Sequence, residues 1–209
     1  MRATVAPAEG FALAGAGAVL ALQAIDPGSA LEYRRALLAA EPWRLLTGQF
    51  VHANWRHAIV DALAWVAVAR LYAPELPPAR QAALLASSAL GTGLLLWLAA
   101  PQIAWYRGLS GALHGVFAAA AVLWLARPAA ATALGAQRLR ARLSPALLLA
   151  ALWAKVAAEH FGARPIANEN WIAGWLGVAV VTQSHLFGAA AGTLIGVLTA
   201  ALRPDTIRA

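Results

Sequence analysis

Two residues far apart in the chain, Ser110 and His185, are of the types that perform nucleophilic catalysis together. A serine hydroxyl is a weak nucleophile until a neighbouring base takes its proton, and a neutral histidine is the usual base. The chain contains no cysteine, which excludes a thiolate nucleophile, a thiolate metal site and a disulfide. Ser110 and His185 can react as a pair only if the fold brings them together.

Composition indicates that both residues lie in membrane-spanning helices. Of the 209 residues, 61% are hydrophobic and 12% are charged, and the mean hydropathy of +0.64 is too high for an ordinary soluble domain. A spanning helix needs about 20 mainly apolar residues. Six stretches approach that length, at about 10–25, 56–72, 80–100, 109–126, 145–159 and 177–202. We therefore predict an all-α polytopic membrane protein, in which one domain over residues 1–209 forms a bundle of six transmembrane helices.

The basic residues are explained better by membrane orientation than by a nucleic-acid partner. The net charge is +7, but the 16 lysines and arginines are scattered in short clusters between apolar stretches. Four arginines lie between residues 127 and 142, in the segment that joins two predicted spans, and the positive-inside rule places such a segment in the cytoplasm. We therefore expect cytoplasmic termini and no nucleic-acid partner. The first stretch is short and follows Arg2, so a cleaved signal peptide is an alternative interpretation of it.

On this topology the second, fourth and sixth helices all start at the outer side, and each carries polar residues near its start. Ser110 lies 17 residues before Arg127, and His185 lies 18 residues before Arg203. At about 1.5 Å per residue, the two side chains reach nearly the same depth in the bilayer. The second helix brings His57 and Asp61 to that end, just after His52.

Glycines on the fourth and sixth helices predict that these two helices pack closely. The fourth has Gly111 and Gly115, and the sixth has Gly188, Gly192 and Gly196, so each offers a stripe that permits close backbone approach. Small and polar residues also pack membrane helices without any chemistry, and either Ser110 or His185 alone would be read that way. The pair at matched depth, beside other ionisable residues within spans, favours a functional site.

Three motifs resemble those of the rhomboid serine proteases, in the order in which that family carries them. Gly108-Leu109-Ser110-Gly111 resembles the family's G-x-S-G motif, and His185 with Gly188 and Gly192 resembles its H-x-x-G-x-x-x-G last helix. The pair Trp43-Arg44, followed by His52 and His57, resembles its first outer loop and second helix. The resemblance covers about residues 40–200. It implies a rhomboid-like intramembrane serine endopeptidase in the bacterial inner membrane, with Ser110 as nucleophile, His185 as base, and neither cofactor nor metal.

Within that family, residues 106–115 follow the form Y-R-G-L-S-G-x-L-H-G, which is similar to the rhombosortase branch. This resemblance implies that the partners are exported transmembrane substrates with C-terminal sorting tails of the Gly-Gly type, together with membrane lipid. Cleavage would occur near the outer face of the inner membrane. Transfer of the substrate to a lipid amine is a further outcome that the resemblance allows.

Two positions depart from the rhomboid pattern. Asp61 stands where the family has an oxyanion-stabilising asparagine, and an ionised carboxylate there would repel the developing negative charge. Either Asp61 is protonated by burial and donates, which is our hypothesis, or it orients a neighbouring histidine. His57 and the backbone N–H of Ser110 are then the safer oxyanion donors, with His52 and Gly108 in supporting positions.

The second departure is His114, which stands where many rhomboids have a tyrosine that stacks on the catalytic histidine. It lies one helical turn after Ser110, so it shares that residue's face. His114 either stacks on His185 or competes with it as the base. Lys155 and His160 lie near a predicted helix end, and we expect their side chains simply to reach water.

Three other functions are open. An inactive rhomboid relative acting as a membrane chaperone or binding protein would keep the fold without needing a reactive serine. A haem or metal protein would use as ligands His52, His57, His114 and His185, although few carboxylates and no cysteine accompany them. A small transporter is the third, but the sequence shows no repeated halves.

Overall fold

The computed structural model describes residues 5–25, 28–127, 135–161 and 169–202, and this part of the chain is mainly helical. The helices are α1 (Val5–Ile25), α2 (Gly28–Leu31), α3 (Arg44–Thr47), α4 (Trp55–Tyr72), α5 (Pro78–Ala99), α6 (Ser110–Leu125), α7 (Gly135–Phe161), α8 (Glu169–Leu176) and α9 (Thr182–Ala201). Two short strands, β1 (Tyr33–Arg34) and β2 (Trp105–Tyr106), pair antiparallel. A 3₁₀ turn follows β1 at Arg35–Leu37.

The six predicted spans fall in α1, α4, α5, α6, α7 and α9. Within the described residues, four helical segments are both long and apolar enough to cross a membrane, namely Pro7–Ile25, Pro78–Ala99, Ala141–Phe161 and Thr182–Ala201. Helix α6 is apolar but has only 16 residues. Helix α4 has 18 residues and carries three charged side chains, those of Arg56, Asp61 and Arg70. The structure therefore supports a multi-pass membrane protein, with the two short or charged helices beside its most apolar ones.

Three predicted helix starts are wrong: α1 begins at Val5, five residues before the predicted start, and local sequence explains the other two. Helix α7 begins at Gly135, ten residues before the predicted start, because residues 136–144 are mostly alanine, leucine, glutamine and arginine, which favour helix. Much of the predicted basic loop is therefore helical. Helix α9 begins at Thr182, five residues later than predicted, because Gly177 adopts a φ of +67° and a short apolar segment follows it. Arg2, which precedes the first predicted span, and Arg203, from which the depth of His185 was counted, lie outside the described residues.

Helix α6 lies at the centre of the bundle and packs most closely on α9. Residues 118–121 of α6 are four alanines with no exposed surface. A Cβ placed on Gly188 would lie 1.9 Å from the carbonyl oxygen of Gly111, and one on Gly192 would lie 2.0 Å from that of Gly115. The two predicted glycine stripes thus face each other, and the backbones of α6 and α9 touch.

The segment between α2 and α4 is held by a buried arginine. The Arg44 side chain is 5% exposed, forms an ion pair with Glu41 and donates to the carbonyl oxygen of Glu32 at 2.8 Å. Glu32 in turn accepts from Arg107 at 2.6 Å. Because β1 pairs with β2, these contacts fix the loop that leads into Ser110.

Helix α1 packs along α4. The indole N–H of Trp65 donates to the carbonyl oxygen of Ala12 at 3.0 Å, and Gly15 lies so close that a Cβ there would meet the indole nitrogen at 2.2 Å. Pro78 occupies the first turn of α5, where its missing N–H costs nothing.

Candidate active site

Ser110 and His185 meet where α6 and α9 begin. Ser110 is the first residue of α6, and His185 lies in the first turn of α9, so the glycine contact between the helices sets their separation. The hydroxyl oxygen of Ser110 lies 3.0 Å from Nε2 of His185. This distance is within the range of a hydrogen bond, and the histidine is 6% exposed.

The other ring nitrogen of His185 contacts a carboxylate that sequence reasoning missed. Nδ1 lies 2.9 Å from Oε2 of Glu159, in the last turn of α7. Glu159 is the last residue of the predicted span 145–159, a position where a water-facing side chain is the ordinary expectation. A signal was present: Lys155 and Glu159 are oppositely charged and four residues apart inside an apolar helix, where ionisable groups are costly.

The Lys155 side chain was predicted simply to reach water. It is 48% exposed, but it also contacts the site. Its ammonium contacts Oε1 of Glu159 at 2.5 Å and Nε2 of His114 at 2.9 Å. The His114 ring lies parallel to that of His185, with ring centres 4.2 Å apart and planes inclined by 13°. Nδ1 of His114 faces the carbonyl oxygen of Ser110 at 2.7 Å. Both ring nitrogens of His114 are therefore engaged, neither of them with the Ser110 hydroxyl.

A second cluster, formed by Asp61, His52 and His57, lies behind the loop that precedes Ser110. Oδ2 of Asp61 accepts from the backbone N–H of Leu109 at 2.7 Å, and it lies 3.0 Å from Nε2 of His52 and 3.4 Å from Nε2 of His57. The two imidazole rings meet edge to face, with their centres 5.1 Å apart. Oδ2 of Asp61 is thus surrounded by nitrogen atoms and ties α4 to Leu109, the residue directly before Ser110.

Local structure fixes His57 and Gly108 against each other. Asn54 caps α4 by accepting from the backbone N–H of His57 at 3.0 Å, which is the usual role of asparagine at that position. Gly108 has a φ of +131°, and a Cβ there would lie 2.7 Å from Cε1 of His57. Only glycine suits both the backbone angle and the approach of the ring.

Backbone N–H groups at the start of α6 can stabilise negative charge. The first N–H groups of a helix have no partner within it, and the helix dipole places partial positive charge at that end. The N–H of Leu109 is used by Asp61, and that of Gly108 donates to the carbonyl oxygen of Gly48 at 3.3 Å. The N–H groups of Gly108 and Leu109 are thus already bonded within the protein. The backbone donor nearest the nucleophile that can still bind a ligand is the N–H of Ser110 itself.

A cavity of about 360 Å³ opens on the pair. Its polar lining includes Ser110, His185, His57 and Glu159. Its apolar lining comes from α4, α6 and α7, including Val60, Val68, Phe117 and Leu152, and from the apolar residues at 176 and 178–181, at the end of α8 and between α8 and α9. The site thus combines a hydroxyl, a base and an apolar wall of a kind that suits a hydrophobic peptide segment.

Among the described residues, the group with metal-ligand character is His114, Glu159 and His185, whose donor atoms lie within 4.8 Å of one another. This differs from the predicted all-histidine alternative, in which His52 and His57 would also be ligands. The Lys155 ammonium approaches both Nε2 of His114 and Oε1 of Glu159, so a cationic side chain already lies where a metal would bind these two residues. The residues present therefore fit an ion-paired cluster better than a metal centre.

Comparison with protein-family models gives one finding that bears on this site. The model of the Rhomboid domain matches residues 39–202, a range that includes α3 to α9 and every residue of both clusters. No curated protein matches the chain. The family match extends over most of the chain, and the chain therefore belongs to the rhomboid family, whose members are generally intramembrane serine proteases.

Proposed function

We propose that this protein is an intramembrane serine endopeptidase in which Ser110 attacks the scissile carbonyl and His185 takes its proton. The observation that carries the proposal is the 3.0 Å contact between the Ser110 hydroxyl oxygen and Nε2 of His185, at the edge of an apolar cavity. A nucleophile and base within hydrogen-bonding reach are the minimum requirement for this chemistry. In an inactive relative the same contact would serve only to join α6 and α9, and it would not need a cavity opening on the hydroxyl.

The reaction follows from the positions of these groups. As the Ser110 oxygen bonds to the carbonyl carbon, its proton moves to Nε2 of His185, and negative charge develops on the carbonyl oxygen. The Ser110 N–H stabilises that charge, and each such donor typically contributes 10²- to 10³-fold to the rate. The protonated His185 then gives its proton to the departing amine, which leaves an acyl-enzyme ester on Ser110. Water or an amine then attacks the ester while His185 takes a proton from that attacking group, and the bond to the Ser110 oxygen breaks.

His57 is the second oxyanion donor in this proposal, as an imidazolium whose Nε2–H faces Asp61, which orients the ring, and whose Nδ1–H is left to donate. His57 lines the cavity, and its Nδ1 is buried without a hydrogen-bond partner among the described residues. Oδ2 of Asp61 accepts from the Leu109 N–H and lies within 3.4 Å of Nε2 of both His52 and His57, and an oxygen with three nitrogen neighbours suits a carboxylate better than a protonated acid. We therefore propose that Asp61 orients His57. This replaces the hypothesis from the sequence that a protonated Asp61 donates to the oxyanion.

For the substrate, we propose the C-terminal Gly-Gly sorting tail of an exported protein. The support is the Tyr106 to Gly115 sequence, similar to the rhombosortase branch, and the apolar lining of the cavity, which would accept the hydrophobic segment of such a tail. Transfer to a lipid amine would then be an alternative to hydrolysis at the acyl-enzyme stage.

Co-expression with a tailed reporter tests substrate and chemistry together. Wild-type protein should shorten the reporter, and Ser110→Ala should not. Ser87→Ala is a matched control, because Ser87 lies on α5 and, among the described residues, its hydroxyl bonds to carbonyls of its own helix alone, those of Ala83 and Leu84. Processing of a Gly-Gly reporter no faster than that of a reporter with the glycines replaced by valines would contradict the substrate assignment.

We also propose a six-span arrangement in the bacterial inner membrane, with both termini cytoplasmic and the active site near the outer face. The cysteine-free chain permits a clean test with single cysteines. Trp105→Cys on β2 should react with an impermeant maleimide in spheroplasts, and Leu202→Cys after α9 should react only after lysis; the native side chains are 52% and 81% exposed. The reverse pattern would contradict the orientation.

A further inference from the structure

The end of α7 brings a carboxylate to the proposed dyad. We propose that Glu159 is a positioning residue for His185, so that the site works as a Ser110, His185 and Glu159 triad. The inference rests on the proposed function, because a third member has a role only if the first two perform catalysis. It assigns a task to a residue that neither the sequence motifs nor the family match singles out.

The contacts form a continuous chain across the imidazole. The Ser110 oxygen lies 3.0 Å from Nε2 of His185, and Oε2 of Glu159 lies 2.9 Å from Nδ1 on the opposite side of the ring. A carboxylate can only accept, so Nδ1 must carry the proton of the neutral ring. Nε2 is then left with its lone pair directed at the Ser110 hydroxyl, which is the tautomer that a general base needs.

Glu159 also stabilises the charge that the reaction creates. When His185 takes the serine proton it becomes a cation, and its side chain is only 8% exposed while that of Glu159 is 18% exposed. Opposite charges attract more strongly where water is largely excluded. In triad enzymes, loss of the carboxylate's function costs on the order of 10⁴-fold in kcat through the wrong tautomer and the lost charge.

The surroundings of Glu159 show that this contact is more than a helix-surface ion pair. Lys155, four residues earlier on α7, contacts Oε1 of Glu159 at 2.5 Å. This is the ion pair that a lysine and a glutamate at that spacing usually form on a helix, and it uses one oxygen of the carboxylate. The other oxygen, Oε2, is directed at His185 on a different helix. Lys155 also contacts His114, which stacks on His185, so one ammonium holds the carboxylate and the stacking ring in place.

Two variants of Glu159 and one control variant at another position test the triad. Glu159→Gln keeps size but removes charge, Glu159→Asp keeps charge on a shorter side chain, and Glu9→Gln removes a carboxylate from an exposed ion pair with Arg70, away from the site. We expect Glu159→Gln to lower kcat for a tailed reporter by about 10²- to 10⁴-fold with little change in KM, following the triad precedent. Glu159→Asp should recover part of that loss, and Glu9→Gln should match wild type.

A spectroscopic measurement keeps the test valid where a variant folds poorly. In wild-type protein we expect a strongly downfield imidazole N–H proton resonance from the His185 to Glu159 bond. It should persist in Ser110→Ala and disappear in Glu159→Gln. Its absence from folded wild-type protein would overturn the inference.

The outcomes separate this inference from the function on which it rests. If Ser110→Ala still processes the reporter, the proposed function fails and the triad with it. If Ser110→Ala is inactive but Glu159→Gln retains kcat within about twofold of wild type, only the triad fails. Equal losses in Glu159→Gln and Glu159→Asp would also overturn it, because the carboxylate charge would then make no difference.

Discussion

The contact between Gly188 and Gly111 sets the distance between nucleophile and base, and Gly188→Ala should therefore impair catalysis through geometry alone. The added methyl would lie 1.9 Å from the Gly111 carbonyl oxygen, whereas real Cβ contacts are essentially never shorter than 3.0 Å. Helices α6 and α9 must then separate by about 1 Å. The Ser110 to His185 distance, now 3.0 Å, would increase toward about 4 Å, beyond hydrogen-bonding range.

The expected losses follow from that displacement. Overpacking of this kind costs about 1 to 3 kcal/mol of stability, and a misplacement of about 1 Å at reacting groups costs on the order of 10²-fold in rate. Two quantities are measured in detergent: the rate of covalent labelling by a fluorophosphonate and the thermal midpoint of unfolding. Gly17→Ala is the matched control, because a Cβ there meets nothing within 4 Å. A folded Gly188→Ala protein that labels at the wild-type rate would refute the reasoning.

Three further predictions concern residues around the dyad and the outer loop. Asp61→Asn should leave the protein folded but lower kcat about tenfold, since it removes a charge-assisted bond; unchanged kcat would contradict an orienting carboxylate. His114→Phe should keep most activity, because a phenyl ring can stack on His185, while a residual rate in His185→Ala that disappears with His114→Ala would make His114 the base. Burial alone would raise the pKa of Glu32, but hydrogen bonds and charge from Arg107 and from the arginine at position 34 outweigh it and lower the pKa. The stabilisation from the Glu32 carboxylate is therefore complete above the pKa of the unfolded chain, near 4.5, and is lost as the pH falls toward the lowered pKa of the folded protein. When the pH is taken below 4.5, the thermal midpoint of wild type should fall, and that of Glu32→Gln should fall less.

The sequence was sufficient to pair Ser110 with His185 because both positions obey simple helical geometry. Depth follows from the rise per residue, and close approach follows from glycine stripes four residues apart. These rules depend on spacing along single helices, and the structure places the two residues as those rules require. The Rhomboid match was likewise foreseeable from three ordered motifs.

Glu159 could not be found in the same way, because its role depends on how α7 packs against α9. It lies 26 residues from His185 along the chain, and no periodicity relates the two helices. Its position at a predicted helix end also made a water-facing side chain the natural interpretation. The position of Asp61 was predicted, but its partner, the backbone N–H of Leu109, belongs to a loop whose path depends on Gly108 and on the β1–β2 pairing.

The central claim is that Ser110 is a nucleophile activated by His185, and covalent labelling of the purified protein tests it most directly. A fluorophosphonate should modify the wild-type protein and Ser87→Ala at equal rates, and mass spectrometry should place the adduct on Ser110. Ser110→Ala should not be labelled, and His185→Ala should be labelled at least 10³-fold more slowly, since neither member of such a pair works without the other. An adduct on another residue, or undiminished labelling of folded Ser110→Ala, would contradict the claim.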